Sequence, residues 1–197
     1  MANPEDILAY WLDSVGSKGW YRGGADLDQD IRDRFGKAWC DAQDGACGLW
    51  LTHASGTLAY IILADQFSRN MFRDSGQAFA SDRSARAAAK VAISRGWDMK
   101  IDEPARHFFY MPLVHSESLC DQDRAVRLIK ERLPETGNEQ LLHAKAHREI
   151  IRKYGRFPSR NAALDRENTG PELQYLNNGG YGAVVDMLKA KANAKAA

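Results

Sequence analysis

The chain has 197 residues, of which 44% are hydrophobic and 27% charged, with a formal net charge of +1. That length and balance fit a globular chain able to bury a sizeable core, and they exclude bulk disorder. A net charge so close to zero argues against polyanion binding over the whole surface, so nucleic acid is disfavoured as a partner.

Asn3-Pro4-Glu5-Asp6 reads as a helix start, with a capping Asn, Pro at the first helical position and acids at the positive end of the dipole. Ile7, Leu8, Trp11, Leu12 and Val15 continue at helical spacing to Gly16, and Gly16 to Gly24 is expected as a loop holding Trp20 and Tyr21. The first residues, Met1 to Asp13, show neither the basic nor the apolar region of a signal peptide. Leu27, Ile31, Phe35 and Trp39 mark a second helix, with Asp30 and Arg34 placed to pair on its flank.

Ser55 to Phe67 predicts a central helix without a polar face, hence buried on most sides. Its apolar run, Leu58 to Ala64, is too short to span a bilayer, so no membrane partner and a cytoplasmic location are expected. Ser81-Asp82 opens a helix that closes at Gly96, and its stripe of Ala85, Ala88, Ala89 and Ala92 suits close helix packing. Asp102-Glu103-Pro104 starts a short helix. Ser116 is read as the cap of the next, and Thr136 with Glu139 and Thr169 with Glu172 as capping boxes. Asn177 to Gly180 is a turn, after which a Lys/Ala-rich helix is expected to fray from about residue 190 to 197. The expected fold is all-α: one domain over 1–197, an irregular bundle of antiparallel helix pairs with no β-sheet. Cys40, Cys47 and Cys120 form no C-x-x-C pair, which excludes a zinc ribbon and disfavours a disulfide framework.

Three stretches carry polar residues that packing alone does not require. Leu63 to Arg73 runs from an apolar helix straight into Asp65, Gln66, Arg69, Asn70 and Arg73. A charge at the end of a buried helix must be paired or solvated. Either Asp65 and the arginines form a structural network, or Arg69 and Asn70 face a cavity and hold a ligand oxygen. His107 to Glu117 ends in His115-x-Glu117, an imidazole and a carboxylate suited to proton transfer, although Glu117 in a first helical turn needs no chemistry to explain it. In the third stretch His143 and His147 stand one helical turn apart, but the zincin pattern is absent and no metal site is expected. His143 to Arg166 holds seven Lys/Arg against two acids, whereas Met1 to Gly45 holds nine Asp/Glu against five Lys/Arg. Gly155 to Asn161 breaks the helix and displays Arg156 and Arg160, whose guanidinium forks suit phosphate, carboxylate or intramolecular acids. No P-loop, dinucleotide, haem or nucleophile-elbow motif is present, so no cofactor is expected.

These same stretches carry a resemblance. Leu63 to Arg73 with Ala78 to Asp82, then Phe109 to Leu113 with His115 to Glu117, then His147-Arg148, Tyr154 to Pro158 and Arg160-Asn161 are similar to the bacterial family catalogued as domain of unknown function 924. The match runs nearly the whole chain, in order. It implies an all-α, tetratricopeptide-like fold and no established activity. The pattern includes Asp65, Gln66, Arg69, Asn70, His115, Glu117, His147, Arg156, Arg160 and Asn161. Ser159 stands where the family usually has His, and Asp165 where it usually has Gly. Two functions are therefore expected to compete. One is binding of a small anionic ligand or peptide through Asp65, Arg69, Asn70, Arg156, Arg160 and Asn161. The other is acid–base catalysis with His115, His147 and Glu117.

Overall fold

A computed structural model describes residues 2–20 and 22–196; Tyr21 of the glycine-rich loop and the final Ala197 of the tail lie outside them. The described residues contain helices and connections only, with no strand or sheet. They divide into two compact units, 1–112 and 113–197. No helix among them is long and apolar enough to cross a membrane.

In the first unit α1 (Pro4–Leu8) starts with the expected box: Asn3 Oδ1 accepts from the Asp6 amide at 2.8 Å, and the Asp6 carboxylate accepts from the Asn3 amide at 3.0 Å. The helix then widens into a π-helical turn over Ala9–Val15 and breaks at Gly16, whose φ of +65° suits glycine. The expected loop is instead a helical turn, α2 (Gly16–Gly19), because the Trp20 indole N–H donates to the Trp11 carbonyl at 2.7 Å and draws the chain back. Along α3 (Ala25–Gln43), Ile31, Phe35 and Trp39 are buried, while Arg34–Asp30 and Lys37–Asp41 pair on the solvent side at 2.7 and 2.8 Å.

The core of this unit is a rod from Ala54 to Met71. It begins as α4 (Ala54–Ile61), widens into a second π-helical stretch (Ile62–Phe67), and ends as α5 (Ser68–Met71). A π turn tilts carbonyls away from their usual partners, and here side chains take them up. Ser68 and Ser81 donate to the Ala64 carbonyl, and Arg69 to that of Asp65 at 2.6 Å. The rod packs on α1, on α3 and on α6 (Asp82–Ser94), whose Ala85, Ala89 and Ala92 are buried as their spacing required. Phe67 meets Phe35 and Trp11 at ring separations of 5.1 and 5.2 Å. A 3₁₀ turn over Gly48–Thr52 lies on α4 at Gly56, where a Cβ would collide with the Trp50 carbonyl and sit 2.7 Å from His53 Cε1.

The short α7 (Met111–Val114) leads the chain into the second unit. There α8 (Leu119–Arg132) and α9 (Gly137–Tyr154) form a hairpin, and α9 also packs on α11 (Gly180–Ala196), which follows α10 (Gly170–Asn177). Ile150, Ile151 and Phe157 form its core with Tyr154, Tyr175, Tyr181 and Val184 around them. The cap of α8 differs from expectation. Ser118, not Ser116, holds the N-cap position, and the Ser116 hydroxyl donates to Asp121 at 2.9 Å. α9 ends at Gly155 with φ +72°, and α10 begins at Thr169 with Glu172 accepting from its amide at 2.7 Å.

Gly56→Ala should destabilise the protein by about 1–3 kcal/mol, the usual range for overpacking. Chemical denaturation will show this as a lower midpoint with an unchanged slope.

Candidate functional site

Of the residues singled out by sequence, Asp65, Arg69 and Asn70 fall in the first unit and form a closed network. Asp65 is buried at 2% exposure; Arg69 bridges it at 2.9 Å and Asp82 at 3.0 Å. Asn70 donates to Asp28 at 2.7 Å and accepts from Gln66 at 3.0 Å. Arg73 grips the same Asp28 carboxylate with two nitrogens. Burial raises the Asp28 pKa, but Arg73, Asn70 and the charge of Arg32 outweigh it and hold the group below its ordinary value. Asp28 and Asp82 give no sequence signal as the partners of these groups beyond their place in the first turns of α3 and α6.

The second unit brings the other candidates together. Gln122, fully buried, donates to the carbonyls of Val114 and Ser116 at 2.6 and 2.7 Å, which fixes the segment bearing His115 and Glu117 on α8. Glu117 then accepts from both terminal nitrogens of Arg166, at 2.8 and 3.0 Å, and from the Phe157 amide at 2.8 Å. Burial raises the Glu117 pKa; Arg166, the Phe157 amide and the charge of Arg160 lower it, and the lowering prevails. Arg160 stacks on Phe157 with its guanidinium carbon 4.5 Å from the ring centre, and donates to the His115 carbonyl at 3.0 Å. Arg156 is committed elsewhere, to Glu172 at 2.6 and 2.8 Å and to the Glu167 carbonyl. That pair, with Thr169, holds Glu172 down to about 2. Asn161 is fully buried and donates to Asn168 at 2.7 Å, while its backbone carbonyl accepts from the Arg166 amide. Arg156 and Asn161 thus shape the loop that carries Arg160.

His147 is the centre of this cluster. Its ring lies 4.9 Å from Tyr181, 5.3 Å from Phe157 and 6.2 Å from His115, centre to centre. Nδ1 lies 2.9 Å from the His143 carbonyl, which can only accept, so Nδ1 carries the proton and Nε2 presents a lone pair. Burial, followed by the nearby His115 and Arg160, depresses its pKa to about 3. His143 Nδ1 in turn meets Tyr181 Oη at 2.5 Å, and burial followed by the neighbouring Tyr175 pushes the Tyr181 pKa up to about 12, so the phenol keeps its proton. His143 Nε2 lies 3.6 Å from Glu139. Sequence reasoning missed Arg166 as the partner of Glu117, and Tyr181 altogether, since a tyrosine after a Gly-Gly turn gives no local signal of a histidine 38 residues away. No group of three or more His, Cys, Asp or Glu able to hold a metal occurs among the described residues.

A helical protein with a half-buried imidazole–guanidinium cluster, and no strand among the described residues, is thereby defined. The chain belongs to a family described as bacterial protein of unknown function (DUF924), whose model matches residues 7–180. Among solved structures it is similar to the protein of unknown function ATU0120 from Agrobacterium tumefaciens, at 39% identity over 89% of this chain and 97% of that one, with a TM-score of 0.83. Comparison with curated proteins gives no match.

Because the folded His147 pKa lies below the ordinary imidazole value, its neutral burial stabilises the fold above about pH 6.5, and that contribution is lost as pH falls from there towards 3. The melting-temperature gap between wild type and His147→Gln should therefore narrow from pH 7 to pH 4.5. A constant gap would mean that His147 does not stay neutral.

Proposed function

We propose that the protein binds a small anionic ligand at the cluster of His115, His147 and Arg160 in its second unit. The single observation that carries this reading is the neutral His147 of fixed tautomer standing within the field of the Arg160 guanidinium. Of the charges named there, Arg160 and Arg166 are positive and Glu117 is the one carboxylate, so the cluster holds more positive than negative charge. An anionic oxygen suits Arg160. The His147 Nε2 lone pair repels such an oxygen but accepts from an O–H or N–H. The ligand is accordingly a hydroxy acid, an amino acid, a hydrogen phosphate or a peptide carboxyl terminus, each with a donor beside its charge. Asp65, Arg69 and Asn70 belong to this reading as supports of the first unit, with their charges matched to one another. A cytoplasmic setting is part of the proposal, and the three free cysteines suit a reducing compartment.

A second reading, acid–base catalysis on the same ligand, rests on the fixed tautomer, which aims one basic nitrogen of His147 past its carbonyl anchor. A pKa near 3 makes that nitrogen a weak base at neutral pH, and so binding is preferred.

Thermal-shift titrations with inorganic phosphate, lactate and an acidic dipeptide, against chloride at equal ionic strength, test the proposal. At least one of the three should raise the melting temperature saturably, and Arg160→Ala should weaken that response about tenfold or more, the loss of one charge-assisted hydrogen bond. Equal shifts from chloride, or an unchanged response in Arg160→Ala, would overturn it.

A further inference from the structure

The first unit contains a cavity of about 290 Å³ between the Gly48–Thr52 turn, α4 and α6. Its walls are Leu51, Tyr60, Ala87, Ala88, Val91 and Trp97. The space arises where α6 presents alanines to α4, so no side chain fills what a Leu or Phe would occupy. Val91 is 46% exposed, which places the mouth on the outer side of α6.

Tyr60 separates this cavity from an ordinary packing defect. Its residue is 94% buried, yet no hydrogen-bond partner meets its hydroxyl among the described residues. The hydroxyl oxygen is not itself sealed off, so it keeps a face open to water or to a ligand group that replaces the water. Two more hydroxyls line the same space. Thr57 directs its proton to the Trp50 carbonyl at 3.5 Å and Ser84 to the Ser81 carbonyl at 2.9 Å, so both oxygens retain lone pairs. The wall thus combines apolar carbon with one uncommitted phenol and two acceptor oxygens. No charged side chain takes part in it.

We infer that this cavity is a second binding site, for a neutral molecule of one or two rings carrying a single hydroxyl. Size sets the rings: a cavity of roughly 150 Å³ takes a benzene, and this one has nearly twice that volume. The uncharged lining sets neutrality, since an ion placed there would lose its hydration without a counter-charge. The Tyr60 hydroxyl sets the single polar group, which accepts from it or donates to it while the ring lies against Ala88, Val91 and Trp97. The site is independent of the anion cluster in residues, chemistry and unit.

The test uses the full-length protein and three probes, 2-naphthol, naphthalene and 2-naphthoate, each titrated to its solubility limit and followed by tryptophan fluorescence and thermal shift. 2-Naphthol should bind saturably at one site, and the charged 2-naphthoate at least tenfold more weakly. Tyr60→Phe should weaken 2-naphthol about five- to tenfold, the size of one neutral hydrogen bond, and leave naphthalene unchanged. Ala88→Phe, which fills the cavity, should abolish binding of both. Val91→Trp, at the exposed mouth, does the same without touching the core and decides the matter if Ala88→Phe fails to fold. The inference is overturned if 2-naphthol shows no saturable binding, if Tyr60→Phe weakens both neutral probes alike, or if a filled cavity still binds.

Discussion

The second unit is organised by the Glu117 carboxylate, which meets Arg166 from 49 residues along the chain and the Phe157 amide from 40. A half-buried carboxylate that loses such partners is left with a poorly solvated, uncompensated charge, which is destabilising. The connection after α9 therefore has one well-held position against the segment before α8. With that position set, Phe157 lies under the His147 ring, Arg160 reaches the His115 carbonyl, and the positive charge beside His147 comes from Arg160 rather than Arg166.

The first unit answers a related problem differently. Both of its long apolar helices widen into π-helical turns, and in both a side chain from elsewhere accepts the task of satisfying the displaced carbonyls: Trp20 for Trp11, Ser81 for Ala64. The second widened turn also carries Asp65 into the interior, where Arg69 and, through it, Asp82 compensate the charge. Polar residues at the end of a buried helix thus serve packing in this unit. The equally polar stretch of the second unit leaves a lone pair on His147 that no described hydrogen bond uses.

The units also differ in the chemistry they offer a ligand. Around His147 the groups are charged or strongly polar, and the proposed anion would be selected by hydrogen-bond direction. Beneath Tyr60 the wall is carbon with a few hydroxyls, and the inferred ligand would be selected by size and neutrality.

Helical spacing in the sequence determined most of the secondary structure: the Ile31–Phe35–Trp39 face, the alanine stripe of α6, the Asn3 and Thr169 starts and the Gly155 stop are all legible because the signal lies within one or two turns. The polar segments could be picked out, and the anchoring of His147 to a carbonyl one turn back follows from helix geometry. What tertiary structure alone decided is which charge answers which. Asp28 with Arg73, Glu117 with Arg166, Arg156 with Glu172 and His143 with Tyr181 are joined across 45, 49, 16 and 38 residues. A period in the sequence shows which face of a helix is buried but carries no information on what packs against it. Partners and cavities are properties of two surfaces meeting, and each surface alone is silent about the other.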